Sequence, residues 1–196
     1  ACTLEVWGSL LHGSRLVLPD RGDVLDPKAL GAIIREKGVD TLWLTAPLFN
    51  QVCDHDPTLL GSLADLLVGG SALSVPQDPA IFAGLGHLMV GGSALSVRHV
   101  VKVHQACPSL RITNGYGPTE NSTFSTTHRI VPDDLTRPRI PIGRTLRYST
   151  ARVVGRDLKP VPVGALGELL LGGMGLSRGY HGRSDLTASR FVSDPD

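Results

Sequence analysis

The chain has 196 residues, of which 41% are hydrophobic and 19% charged, enough to bury one substantial core and ordinary for a soluble globular protein. Its 19 basic and 18 acidic residues leave a formal charge of +1 with no basic run, which argues against nucleic acid or an anionic membrane as a partner. Three widely spaced cysteines, Cys2, Cys53 and Cys107, suit neither a disulfide framework nor a zinc site, and no stretch approaches the roughly 20 apolar residues of a membrane span, so reduced thiols in a cytoplasmic protein are expected.

The chain opens at Ala1-Cys2-Thr3 without an initiator Met and stops at Asp194-Pro195-Asp196, so both ends read as cut. Arg15 to Leu18 is a short apolar run and supplies a first strand. Asp26-Pro27 opens a helix, with Asp as N-cap and Pro at the first helical position. Leu30, Ile33 and Ile34 give it an apolar face, and Gly38 suits its end. Asp40 to Thr45 follows as a strand, and Pro47 begins a helix that carries Leu48, Phe49 and Val52. Further on, Leu88 to Val90 reads as a strand ending in Gly91-Gly92, Ser96 caps a helix running to about Ala106, and Leu110 to Thr113 is the next strand.

Strands alternating with helices of this length predict an α/β fold, a mainly parallel sheet with crossover helices. Ligands in such sheets bind beyond the carboxyl ends of the strands. After His128 the texture changes: Pro132, Pro138, Pro141, Pro160 and Pro162 surround the β-rich runs Thr150 to Val154 and Gly167 to Leu171. The organisation expected is an α/β subdomain over residues 1–135 and a smaller β-rich lobe over 136–196, with a last short helix from Ser184 carrying Leu186 and Phe191.

Asp56 to Gln77 and Asp78 to His99 form a tandem repeat, with twelve of twenty-two paired positions identical and the segment VGGSALSV in both. Solenoids need at least about three such units, so two copies indicate a local duplication.

The richest segment is Asn114-Gly115-Tyr116-Gly117-Pro118-Thr119-Glu120. It follows a strand and combines an aromatic face for a base, glycines for close backbone approach, a hydroxyl for phosphate and a carboxylate for magnesium. The alternative is a plain strand-to-loop turn with a surface Thr-Glu pair.

NGYGPTE resembles a core motif of the adenylation domains of nonribosomal peptide synthetases, members of the acyl-adenylate-forming enzymes. The likeness continues in family order. ACTLEVWGSLLHGSRLVL resembles the segment after the family's Phe-Asp pair, LWLTAPLFNQ the next segment, VGGSALS the Gly-rich loop on the adenine side, and GELLLGGMGLSRGYHGRSDLTASRF the later Gly-Glu-Leu to Arg-Gly-Tyr motif. The fold this implies is part of the large N-terminal lobe of an adenylate-forming enzyme followed by the β-rich lobe.

The resemblance implies an ATP-dependent ligase that converts an amino acid to its aminoacyl-AMP and loads it onto the phosphopantetheine thiol of a carrier domain. The peptidyl carrier and condensation domains of the same synthetase would be its partners. ATP would lie against Gly92, Ser93, Ala94, Asn114, Gly115, Tyr116 and Gly117, with Thr119 on phosphate and Glu120 on Mg2+, these last two being the catalytic pair. Glu168 and Arg178 are expected to be structural. The family's amino-acid pocket falls on Ala1, Leu4, Trp43, Met89, Gly91, Gly115, Thr123 and Phe124. That lining holds no charge, so it rejects charged side chains and suits a small or branched aliphatic amino acid, valine or a neighbour.

Two departures stand out. The family's phosphate loop, its amine-pairing and ribose-holding aspartates and its catalytic lysine are not among these 196 residues, so the chain alone is expected to be inactive. The repeat offers two copies for one strand and loop: copy two is expected to be the binding copy, with Leu67 and Gly69 as the pocket residues otherwise. The extra residues would form a surface excursion or displace the sheet. The alternatives are an aryl- or fatty-acyl-AMP ligase, or a folded but inactive relic.

Overall fold

A computed structural model describes residues 2–70 and 78–193. They divide into two units, Ala1–Tyr116 with Thr127–Gly143, and Gly117–Thr126 with Arg144–Asp196.

In the first unit, α1 (Cys2–Leu11) and α2 (Arg21–Leu25) precede α3 (Pro27–Lys37). The Asp26 carboxylate accepts the Lys28 amide at 3.0 Å, Pro27 takes the first turn, and Gly38 ends the helix in the left-handed region at φ 61°, as capping chemistry dictates. Arg15 to Leu18, read above as a strand, is not one. Arg15 instead donates to the carbonyl of Lys37, the last residue of α3, while Leu18 is exposed, so the run has no ladder partner to make it a strand.

The strands β1 (Thr41–Thr45), β2 (Asp65–Gly69), β3 (His87–Gly91) and β4 (Arg111–Tyr116) are parallel neighbours in that order, and β5 (Thr126–Arg129) lies next to β4. Between β1 and β2 runs α4 (Ala46–His55), and between β3 and β4 runs α5 (Val97–Ala106). Ser96 holds the N-cap position of α5, yet its hydroxyl makes no capping bond.

The duplication is built into this sheet. Copy one contributes a short 3-10 turn (Pro57–Ser62) and β2; copy two contributes a second turn (Pro79–Phe82) and β3. The two strands pair in a register that joins each residue to its own counterpart, Asp65 to His87, Leu66 to Leu88, Leu67 to Met89 and Val68 to Val90. The extra segment is therefore not a surface excursion but one more strand, which displaces β1 from β3 by the width of a strand.

Period-two alternation decides the faces. Leu44, Leu66, Val68, Leu88, Val90 and Ile112 are buried on one face, in one cluster with Leu30 and Ile34 of α3, Phe49 and Val52 of α4 and Val100 and Val103 of α5. Phe82 of copy two stacks on Phe49 with ring centroids 6.0 Å apart. Each such fully buried side chain contributes about 2 kcal/mol from apolar burial. The opposite face carries the cross-strand row Trp43, Leu67, Met89 and Thr113, all half-buried.

In the second unit, β6 (Arg144–Thr145) precedes the antiparallel pair β7 (Ser149–Val154) and β8 (Glu168–Gly173), and α6 (Ser184–Arg190) follows. Buried Asn121 ties the unit's first segment to this pair, its amide donating to Ser125 Oγ at 3.0 Å and the Gly172 carbonyl at 3.3 Å. Among the described residues no helix is long and apolar enough to cross a membrane.

Candidate functional site

The Asn114 to Glu120 segment begins as the end of β4. Asn114 lies on the buried face and its amide donates to the Pro141 carbonyl at 2.8 Å, so this side chain fixes the strand end. Gly115 pairs with Gly91 across β3 and β4. Tyr116, the last residue of β4, is 39% exposed, leaving its ring open to stacking.

Within the second unit, Gly117 sits in a turn that admits no side chain. A Cβ there would lie 2.7 Å from the Ser125 nitrogen and 2.8 Å from the Phe124 Cα. Thr119 is exposed, and Thr123 and Phe124 are half-buried. Glu120 is held twice: its carbonyl accepts the Ser177 amide at 2.7 Å, and its carboxylate accepts the Tyr180 phenol. The phenol's hydrogen bond is the main reason the Glu120 carboxyl lies below its ordinary range. Tyr180 in turn packs edge-on against Phe191 at 5.6 Å.

A carboxylate kept ionised suits a magnesium ion, which takes one or two protein carboxylates and draws its remaining ligands from water and substrate phosphates. Among the described residues no group of three or more His, Cys, Asp or Glu side chains is placed to bind a metal by itself. Glu120 thus fits a metal that arrives with a nucleotide.

In the first unit the glycine turn after β3 is crowded by copy one. Gly92 adopts φ 94°, and a Cβ on it would lie 2.5 Å from the Gly70 nitrogen. Ser93 is half-buried and Ala94 exposed. Leu4 of α1 and Trp43 of β1 line a cavity of about 680 Å³ together with Leu67 and the charged residues Glu5, Arg15 and Asp40. Met89 stands on the same sheet face one strand further along, and Ala1 lies outside the described residues.

Sequence reasoning did not find Tyr180 as the partner of Glu120. The Arg178-Gly179-Tyr180 turn was visible, but nothing local links it to a carboxylate sixty positions earlier. Nor did it find the polar row in which His87 Nδ1 meets Asp65 Oδ1 at 3.2 Å and His87 Nε2 meets Thr113 Oγ1 at 2.9 Å.

Comparison with known proteins places this geometry in context. The family model described as "AMP-binding enzyme" matches residues 1–181. The chain is 41% identical over 195 residues to tyrocidine synthase 3 of Brevibacillus parabrevis, covering all of this chain and 3% of that protein. It is 41% identical over 196 residues to surfactin synthase subunit 2 of Bacillus subtilis (strain 168), covering all of this chain and 5% of that protein. The chain therefore spans only a small part of these relatives. Among solved structures it is similar to PA1221, described as a nonribosomal peptide synthetase protein containing adenylation and PCP domains. The TM-score is 0.73 at 36% identity, over 99% of this chain and 35% of that one.

Proposed function

The chain belongs to the AMP-binding enzyme family, and from that premise we propose that it serves amino-acid adenylation in a nonribosomal peptide synthetase, activating an apolar, valine-like amino acid. A carboxylate oxygen of the amino acid attacks the α-phosphorus of ATP, the bond to the β-phosphate oxygen breaks, and pyrophosphate leaves with the electron pair. The thiol of a carrier domain's phosphopantetheine then attacks the aminoacyl carbonyl and AMP departs. Such chemistry rests on positioning and charge stabilisation.

The observation that carries this reading is where the motif residues fall on the sheet. Gly91-Gly92 and Gly115-Tyr116 stand side by side at the carboxyl ends of β3 and β4, where parallel sheets bind ligands. Tyr116 offers adenine a stacking face, Asn114 and Gly92 to Ala94 border it, and Gly117 lets the chain turn towards phosphate. Thr119 donates to phosphate. Glu120 is the residue that would hold Mg2+, whose charge offsets that of the phosphates. Leu4, Trp43, Met89, Gly91 and Gly115, the first-unit positions proposed for the amino-acid pocket, carry no charge, which suits an aliphatic substrate.

The test is amino-acid-dependent ATP–pyrophosphate exchange by the full-length protein that contains this chain. Exchange with valine or a close aliphatic, abolished by Glu120→Ala, is the expected result. Exchange with an aryl or fatty acid in place of amino acids would overturn the substrate, and exchange with no acid at all would mark a folded relic. The 196 residues assayed alone, without a phosphate loop or catalytic lysine, are expected to give none.

A further inference from the structure

Within the second unit, the segment that carries Glu120 is stitched to the one that leads to Tyr180. Asn121 forms an antiparallel bridge with Leu176, the Ser122 hydroxyl donates to the Gly175 carbonyl at 3.1 Å, and the Ser177 amide donates to the Glu120 carbonyl at 2.7 Å. A Cβ on Gly175 would lie 2.9 Å from Asn121 Oδ1, so the two segments meet at a distance that only glycine allows. These contacts fix the backbone of Glu120. The Tyr180 phenol, donating to Oε1, fixes its carboxylate.

Tyr180 is itself held from α6. Its amide donates to Thr187 Oγ1 at 2.9 Å, and its ring meets Phe191 edge-on at 5.6 Å and 79°. Gly179 adopts φ 129°, and a Cβ there would lie 2.5 Å from Thr187 Cγ2, so the turn into Tyr180 closes onto the helix because residue 179 is glycine. The donor is therefore anchored before it reaches the acceptor. A carboxylate has about four lone-pair positions on its two oxygens, and the phenol engages one oxygen. Magnesium takes only one or two protein carboxylates and fills its other positions with water and phosphate, so phenol and metal need not compete.

Resting on the adenylation reading above, in which Glu120 would hold Mg2+, we infer that Tyr180 is a positioning residue for that ion: its phenol orients the Glu120 carboxylate so that an oxygen stays presented to a metal arriving with ATP. The Arg178 to Tyr180 turn and α6 serve the nucleotide site through this one side chain. Partners of a metal-binding carboxylate that fix its orientation typically matter about 10- to 100-fold in metal affinity.

The experiment measures ATP binding to the full-length protein by titration calorimetry, once with Mg2+ and once with EDTA. Tyr180→Phe keeps the ring and its packing on Phe191 and removes only the donor. Its ATP affinity is expected to fall about tenfold or more with Mg2+ and to change less than about twofold in EDTA. In pyrophosphate exchange, the Mg2+ concentration for half-maximal rate should rise by a similar factor while the KM for the amino acid holds. With Glu120→Ala already in place, Tyr180→Phe should add nothing, because it acts through that carboxylate. An unchanged affinity, an equal loss with Mg2+ and EDTA, or additive losses in the double variant overturns the inference. So does tighter binding with Mg2+, which would mean that the phenol blocks the metal. Thr187→Val tests the same arrangement with the phenol intact: losing the bond to the Tyr180 amide should weaken ATP binding with Mg2+ about threefold, and no change there also overturns it. An unaltered protein that gains no ATP affinity from Mg2+ and exchanges with no acid overturns the adenylation reading instead.

Discussion

Copies one and two of the repeat build the same short structure, a 3-10 turn leading into a five-residue strand, and differ in what borders them. Towards the core they are interchangeable: Leu66 and Val68 are buried as their counterparts Leu88 and Val90 are. On the outer face they are not. Leu67 stands between Trp43 and Met89, whereas Met89 stands between Leu67 and Thr113. Identical and diverged positions both pair across the copies, and the diverged ones lie on the outer face. Asp65 opposes His87 rather than a second Asp, and a like-charged pair directly across two strands would be destabilising. A duplicated strand is accommodated when its core face repeats and its outer polar position changes.

The largest expected effect tests the sameness of the core face. Leu66→Ala and Leu88→Ala should each cost about 3 kcal/mol, as fully buried leucines do when a cavity replaces them. Urea unfolding of the two variants should give matching losses. A difference of about 2 kcal/mol or more between them would mean that one copy is peripheral to the core.

A reference of intermediate size lies outside the repeat in the same unit. The buried Asp134 carboxylate accepts the His128 ring at 2.7 Å and the Val131 amide at 3.0 Å. Burial alone would raise its pKa, but the Val131 amide and His128, helped by Arg137, outweigh burial and hold it below the ordinary aspartate range. The unfolded chain then binds the proton more readily, so this stabilisation is fully present above about pH 4 and is lost as pH falls through the native value. Asp134→Asn should cost about 2 kcal/mol at neutral pH, with the gap in melting temperature from the unaltered chain closing in acid. A gap constant with pH would show that the carboxylate charge is not what stabilises. The two leucine losses should exceed this reference by similar margins.

The smallest effect sharpens the difference between the copies. Each opens with Asp-Pro, but Asp78 caps its turn through the Ala80 amide at 2.9 Å, whereas the Asp56 carboxylate accepts no backbone amide of its turn and takes only the Thr58 hydroxyl. Asp78→Ala should cost about 1 kcal/mol and Asp56→Ala a few tenths. Equal losses in thermal unfolding would erase this distinction.

What was legible in the sequence follows from the range over which each signal acts. The Asp26 cap, Pro27, the Gly38 stop and the alternation in Thr41–Thr45 lie within a few residues of the elements they define, so α3, β1 and α4 could be read directly. Arg15 to Leu18 had the apolar content of a strand but no neighbour to pair with. Helix α1 buries no residue and so left little periodicity to read. The motif Asn114 to Glu120 stood out by residue type, yet the engagement of Asn114 with Pro141 and of Glu120 with Tyr180 joins positions far apart in the chain. No local pattern encodes such pairings.

By itself, then, the sequence determined the alternation of strand and helix, the glycine turns that end β3 and open the NGYGPTE loop, the family, and the fact of a duplication. Those depend on turn chemistry, side-chain periodicity and motif order, all written along the chain. Only the tertiary structure decided that both copies become strands, that copy one lies against Trp43, and that Tyr180 meets Glu120. Two copies that share twelve of twenty-two residues present the same periodicity and much the same propensity, so only packing on β1 and β4 gives each its place in the sheet.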